Sequence, residues 1–130
     1  MSRRLLQVVL AILSLSPLGF GSLGLLFGPA GLSQKLAGLP ADVDSHFRYL
    51  SGIFFMLGIA LWTCIPRIET REATIRFRWI AAAVVAGGLA RGWGMVNGVT
   101  PGLGHQIGLA VELVATPLVV LWQAQVSRRG

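Results

Sequence analysis

The stretch AAAVVAGGLARGWGMVNG (Ala81 to Gly98) is apolar enough to form part of a membrane-crossing helix, yet Arg91 sits inside it. A guanidinium at mid-helix carries an insertion penalty of about 2.5–3.5 kcal/mol, and a lone carboxylate there is similarly unfavourable. The following apolar run contains such a carboxylate, Glu112. If the two runs are antiparallel helices, Arg91 lies about six residues, roughly 9 Å, below Asn97, and Glu112 about eight residues, roughly 12 Å, past Gly104. The depths nearly match, so Arg91 and Glu112 are expected to form an ion pair across neighbouring helices, which reduces the penalty of both.

Other polar groups fall at the same end. Asp42, Asp44, His46 and Arg48 surround the start of the second apolar run, Asn97 ends the third, and His105 and Gln106 open the fourth. His105, Gly108 and Glu112 are spaced i, i+3 and i+7, so they share one helical face. The candidate site residues are therefore His46, Arg48, Arg91, Asn97, His105 and Glu112, lining an outward-facing polar pocket closed at its base by Arg91 and Glu112.

Three uses of this cluster stay open. It can be a clamp that fixes helix register, with the histidines merely interfacial. It can bind a small anionic or amphipathic molecule such as a lipid head group or a quinone, with Arg48 and Arg91 supplying charge and hydrogen bonds. It can couple to protons through Glu112 and a histidine. No two ligands share a metal-binding spacing, so no metal or haem is expected. Ser51 lies near the cluster, and no G-x-S-x-G surrounds it. A single cysteine, Cys64, excludes an intrachain disulfide. No catalytic residue and no resident cofactor are expected.

The elements that must position these groups follow from composition. The chain of 130 residues is 54% hydrophobic and 12% charged, against roughly 25% charged in soluble domains. Four apolar runs of about 18–23 residues each match the thickness of a bilayer core when helical. None shows the alternation of a barrel strand. The expected fold is an all-α membrane protein: one domain, a four-transmembrane-helix bundle, with helices at about 5–27, 46–65, 78–97 and 104–126. Pro17 and Thr116-Pro117 mark two kinks, with serines near Pro17 placed to bond the freed carbonyls. The glycine pairs 24/28, 88/92, 94/98 and 104/108 are spaced for close helix approach. The first connection, GPAGLSQKLAGLPADVDS, has room for two helical turns between Leu32 and Leu39, with Asp44 or Ser45 capping helix two. Trp62, Trp79 and Trp122 cluster toward one interface, Tyr49 and Trp93 toward the other.

The net charge of +6 does not indicate nucleic acid, because the basic residues sit at helix ends instead of on one folded face. Arg3, Arg4, Arg67, Arg71, Arg76, Arg78, Arg128 and Arg129 all fall on one side of the expected bundle, which the positive-inside rule makes cytoplasmic. Both termini are then cytoplasmic. The opening MSRRLLQVVLAILSLSP is read as part of a retained first helix and not as a signal peptide, since its apolar run continues to Phe27 without an A-x-A site.

The segments HFRYLSGIFFMLG and GGLARGWGMVNGVTPG together resemble domain-of-unknown-function family 4345, small bacterial four-helix membrane proteins. Arg48 and Gly52 match the arginine and glycine opening its second helix, Gly88 and Arg91 match its Gly-x-x-Arg, and Gly98 and Pro101 fit the turn that follows. The resemblance covers most of the chain and implies a multi-pass protein of the bacterial inner membrane, with no activity attached. The expected role is a non-enzymatic binding or accessory protein in contact with membrane lipids, within a larger membrane complex or a homo-oligomer. The alternatives are a proton-coupled transporter working as a homo-oligomer, and an intramembrane enzyme acting on a lipid or quinone through His105 and Glu112.

Overall fold

The computed structural model describes residues 2–129, and among them there is no strand. Four helices are each long and apolar enough to cross a membrane. They are α1 (Arg3–Phe27), α2 (Ala41–Cys64, continued by a 3-10 turn at Ile65–Arg67), α3 (Arg71–Val96) and α4 (Leu103–Ser127). The chain divides into two compact units, one running from Gln7 to Pro66 and the other from Arg67 onward together with the first turn of α1.

In the first unit α1 and α2 pack through glycines. A Cβ on Gly21 would lie 2.8 Å from the backbone nitrogen of Phe55, and one on Gly58 would lie 2.9 Å from Leu18 Cγ. Gly24 faces the buried Ser51 so closely that no side chain fits between them. Where dispersion drives helix association, backbones this close gain contact area that larger residues would deny. Of the expected pairs only Gly24/Gly28 acts here, and Gly21 and Gly58 do as much. Near the chain's start Gln7 Nε2 donates to the Ile65 carbonyl at 2.8 Å, tying α1 to the end of α2. The buried Ser14 donates to the Ala11 carbonyl at 2.6 Å. It therefore bonds its own preceding turn, whereas the carbonyl that Pro17 leaves without a donor is that of Leu13.

The connection between α1 and α2 holds two short 3-10 turns, Pro29–Gly31 and Gln34–Leu36, in place of two turns of helix. Helix α2 begins at Ala41, five residues before the apolar pattern starts at 46. The cap expected from Asp44 or Ser45 is not formed: Pro40 occupies the cap position without a side-chain bond. Asp42 and Asp44 lie inside the first turn, where negative charge complements the helix dipole.

In the second unit α3 begins at Arg71, seven residues ahead of position 78, because Thr70 Oγ1 accepts from the Ala73 amide at 3.3 Å. The polar-looking segment REATIRFR is thus helical, with Ala73, Thr74 and Phe77 buried on one face and the charges on the other. The far end of α3 closes as a Schellman motif. Val99 N–H bonds the Gly94 carbonyl at 3.0 Å and Gly98 N–H bonds that of Met95 at 3.1 Å. Gly98 supplies the left-handed φ of 91° that this motif requires.

Helix α4 carries a π-helical segment, Val111–Ala115. Pro117 has no amide hydrogen for the Leu113 carbonyl and its ring crowds that group, so a regular α-turn is blocked. The chain relaxes by widening one turn: Thr116 N–H reaches back to the Val111 carbonyl, and Thr116 Oγ1 donates to the same oxygen at 3.0 Å.

These packing differences predict unequal responses to one added methyl group. Gly21→Ala should lower the thermal unfolding midpoint in detergent by an amount corresponding to about 1–3 kcal/mol, the usual cost of overpacking. Gly87→Ala, where a Cβ meets nothing within 4 Å, should leave the midpoint unchanged or slightly raised. Equal midpoints for the two variants would contradict the packing described for α1 and α2.

Candidate functional site

The centre of the site is Arg91, on the next-to-last full turn of α3. Its Nη1 lies 3.0 Å from His105 Nδ1 and donates to the His105 carbonyl at 3.3 Å. Its Nη2 lies 3.2 Å from Glu112 Oε1. The side chains of Arg91 and Glu112 are 34% and 18% exposed, so the pair is mostly withdrawn from its surroundings. All three groups belong to one unit.

Two glycines face this cluster, and one of them makes the geometry attainable. A Cβ on Gly88, one turn before Arg91, would fall 2.8 Å from Glu112 Cβ and from Leu113 Cδ2. A Cβ on Gly108, midway between His105 and Glu112, would lie 3.4 Å from Arg91 Nη1. Gly88 thus lets α4 approach at the level of Glu112, whereas a Cβ at Gly108 would only touch the guanidinium at ordinary contact distance. The Gly-x-x-Arg spacing on α3 has this direct physical reading: the glycine sets the helix separation that the arginine then spans.

Hydrogen-bond roles follow from the chemistry. A guanidinium can only donate, so His105 Nδ1 must be the acceptor and the ring proton sits on Nε2. The charges of Arg91 and Glu112 offset one another. Four hydrogen-bonding positions remain: donors at Arg91 Nε, at the second N–H of Arg91 Nη2 and at His105 Nε2, none bonded among the described residues, and Glu112 Oε2, which is buried without a partner. Buried polar atoms are almost always satisfied by protein, water or a ligand.

The other sequence-derived candidates make contacts of their own. Arg48 Nε donates to Asp44 Oδ2 at 2.7 Å, and its Nη1 donates to the carbonyl of Leu26 at 2.8 Å. It therefore closes the C-terminal end of α1, whose last carbonyls have no intrahelical donor. Gly28, with φ of 66°, turns the chain directly beneath this side chain. His46 stacks on Tyr49, with ring centroids 6.4 Å apart. Asn97 donates to the Trp93 carbonyl of its own helix at 2.8 Å. Arg91, His105 and Glu112 are the three brought together in one unit, while His46 and Arg48 belong to the other. Among the described residues no three His, Cys, Asp or Glu side chains group to hold a metal ion.

One polar residue went unread in the sequence. Gln123 is 0% exposed, and its Nε2 donates to Thr74 Oγ1 at 2.7 Å and to the Ile68 carbonyl at 2.9 Å. A glutamine within an apolar run was the available signal. Its role is to lock α4 to the start of α3.

The chain matches the family model described as a domain of unknown function (DUF4345) over residues 5–123, and it belongs to that family. No curated protein and no solved structure matches it.

The ion pair can be tested by charge exchange. Arg91→Glu and Glu112→Arg should each destabilise the protein by an amount on the order of 3 kcal/mol, as when one partner of a buried pair is lost. The double exchange should recover a large part of that loss, read as the unfolding midpoint in detergent. A double variant no more stable than the worse single one would show that the two side chains do not act as partners.

Proposed function

We propose that this protein is a small, non-enzymatic binding or accessory protein of the bacterial inner membrane that holds the polar head of an amphipathic molecule at Arg91, His105 and Glu112. The observation that carries this reading is the set of unfilled hydrogen-bonding positions gathered at one level of α3 and α4: three donors, two on Arg91 and one on His105, beside the buried, unpartnered Glu112 Oε2. Because Glu112 already balances Arg91, a neutral head bearing a hydroxyl or carbonyl suits the site better than an anion. A quinone or an uncharged lipid head group has that chemistry. Arg48, engaged by Asp44 and the end of α1, is assigned to structure and not to the ligand.

The positive charges support a topology with both termini cytoplasmic. Eight basic residues lie at the termini and around the connection between α2 and α3, while the other connections carry few. In a Cys64→Ser background, a cysteine at Ser33 should react with a membrane-impermeant thiol reagent applied from outside, and one at Ser127 should react only after lysis. The opposite pattern would invert the topology.

Native mass spectrometry of protein extracted gently from its own membrane tests the binding role. A reproducible extra mass or companion chain on the wild type, lost in Arg91→Ala and His105→Ala while the fold is retained, is the expected result. A bare wild-type chain, or equal retention by both variants, would overturn it. The buried carboxylate oxygen beside a titratable imidazole also favours a second reading, a proton-coupled transporter working as a homo-oligomer. That reading requires a flux in proteoliposomes that disappears in Glu112→Gln.

A further inference from the structure

The placement of charge on α3 carries an inference independent of the Arg91 site. Eight basic residues, Arg3, Arg4, Arg67, Arg71, Arg76, Arg78, Arg128 and Arg129, face only two acidic ones, Glu69 and Glu72, in this part of the chain. That excess equals the whole net charge of +6, since Lys35, Arg48 and Arg91 are matched by Asp42, Asp44 and Glu112. All eight basic residues belong to the unit that contains α3 and α4. Glu69 lies 3.0 Å from Arg3, and Glu72 lies 3.7 Å from Arg76. Among the described residues, no carboxylate lies within 4.0 Å of Arg71 or Arg78.

Arg71, Ile75, Arg78 and Ala82 are spaced i, i+4, i+7 and i+11, which places them on one helical face. Ala86 and Leu89 continue that face, Trp79 flanks it, and every one of these residues is exposed, Trp79 at 75%. Arg71 and Arg78 stand two turns, about 10 Å, apart along the axis, and both long side chains lean toward the helix N-terminus, so both heads are carried to that end of the face. Along the face the chemistry then changes from two cations to an indole and on to a smooth apolar lane over Ala82 and Ala86. A phospholipid presents the matching series of anionic phosphate, glycerol ester and acyl chain. We propose that the N-terminal half of this α3 face is a binding site for an anionic phospholipid, with Arg71 and Arg78 on the phosphate, Trp79 at the ester level and the acyl chain along Ala82 and Ala86.

The test uses the full chain in detergent micelles, titrated with phosphatidylglycerol or phosphatidylcholine and read by native mass spectrometry. The wild type should retain phosphatidylglycerol over phosphatidylcholine by roughly thirtyfold, the sum expected for two basic residues at a membrane surface. R71Q/R78Q should abolish the preference, and R71K/R78K should keep most of it. R128Q/R129Q, which removes the same charge elsewhere, should leave it intact. Equal retention of the two lipids by the wild type would overturn the proposal. So would an equal loss in R128Q/R129Q, which would show diffuse attraction instead of a site. A change of oligomeric mass in R71Q/R78Q without a change in bound lipid would overturn it in favour of a second copy on this face. None of these variants touches Arg91, so the outcome is separate from that of the head-group reading.

Discussion

A guanidinium in an apolar helix must be surrounded by acceptors, and much of the α3–α4 pair is arranged to meet that demand. Arg91 takes a carboxylate oxygen, an imidazole nitrogen and a backbone carbonyl, all from α4. To bring them within reach, α4 must come close to α3, and Gly88 permits this by leaving no side chain where Glu112 and Leu113 pack. The carbonyl of His105 lies in the first turn of α4, close to where the chain arrives from the Schellman turn at Gly98, and a carbonyl oxygen has a second lone pair to offer Arg91 beyond the one used within the helix. One half-buried charge thus links a glycine, a turn and three side chains into a single requirement.

The two arginines singled out by the family pattern answer that requirement in different ways. Arg48 is matched by Asp44 one turn earlier on its own helix and by the open carbonyls of α1, so its donors serve the frame of its unit. Arg91 is matched across helices and leaves part of its donor set unengaged. Identical residue types are distinguished by what remains unsatisfied after the fold has taken what it needs. This difference is why the binding role is assigned to Arg91 and withheld from Arg48.

Much of this was readable in the sequence, and the misses have physical reasons. Apolar run length identified four helices of membrane-crossing length, because that length follows directly from the count of consecutive apolar residues. Counting residues from the turn put Arg91 and Glu112 at matching depths, and the structure has them 3.2 Å apart. The starts of α2 and α3 lay five and seven residues earlier than the apolar pattern, since helix onset is set by Pro40 and by the Thr70 cap, not by hydropathy. Glycine spacing alone did not tell which glycines meet a neighbour: Gly88 does, Gly104 meets nothing, and Gly21 and Gly58 lie outside the four-residue pairs. Gln123 escaped notice because its partners, the Ile68 carbonyl and Thr74, lie far away in the chain.

The π-helical segment of α4 gives the helix a property that a regular one lacks. Widening one turn by a residue rotates everything beyond it by about 100° relative to an unbroken α-helix. The face bearing His105, Gly108 and Glu112 is thereby uncoupled in phase from the face bearing Val119, Gln123 and Val126, which is buried. Each half can be oriented for its own neighbours, so substitutions in the polar half need not disturb the anchoring half. In evolutionary terms the segment divides one transmembrane-length helix into two separately adjustable modules, one carrying the polar cluster and one held to a fixed packing duty.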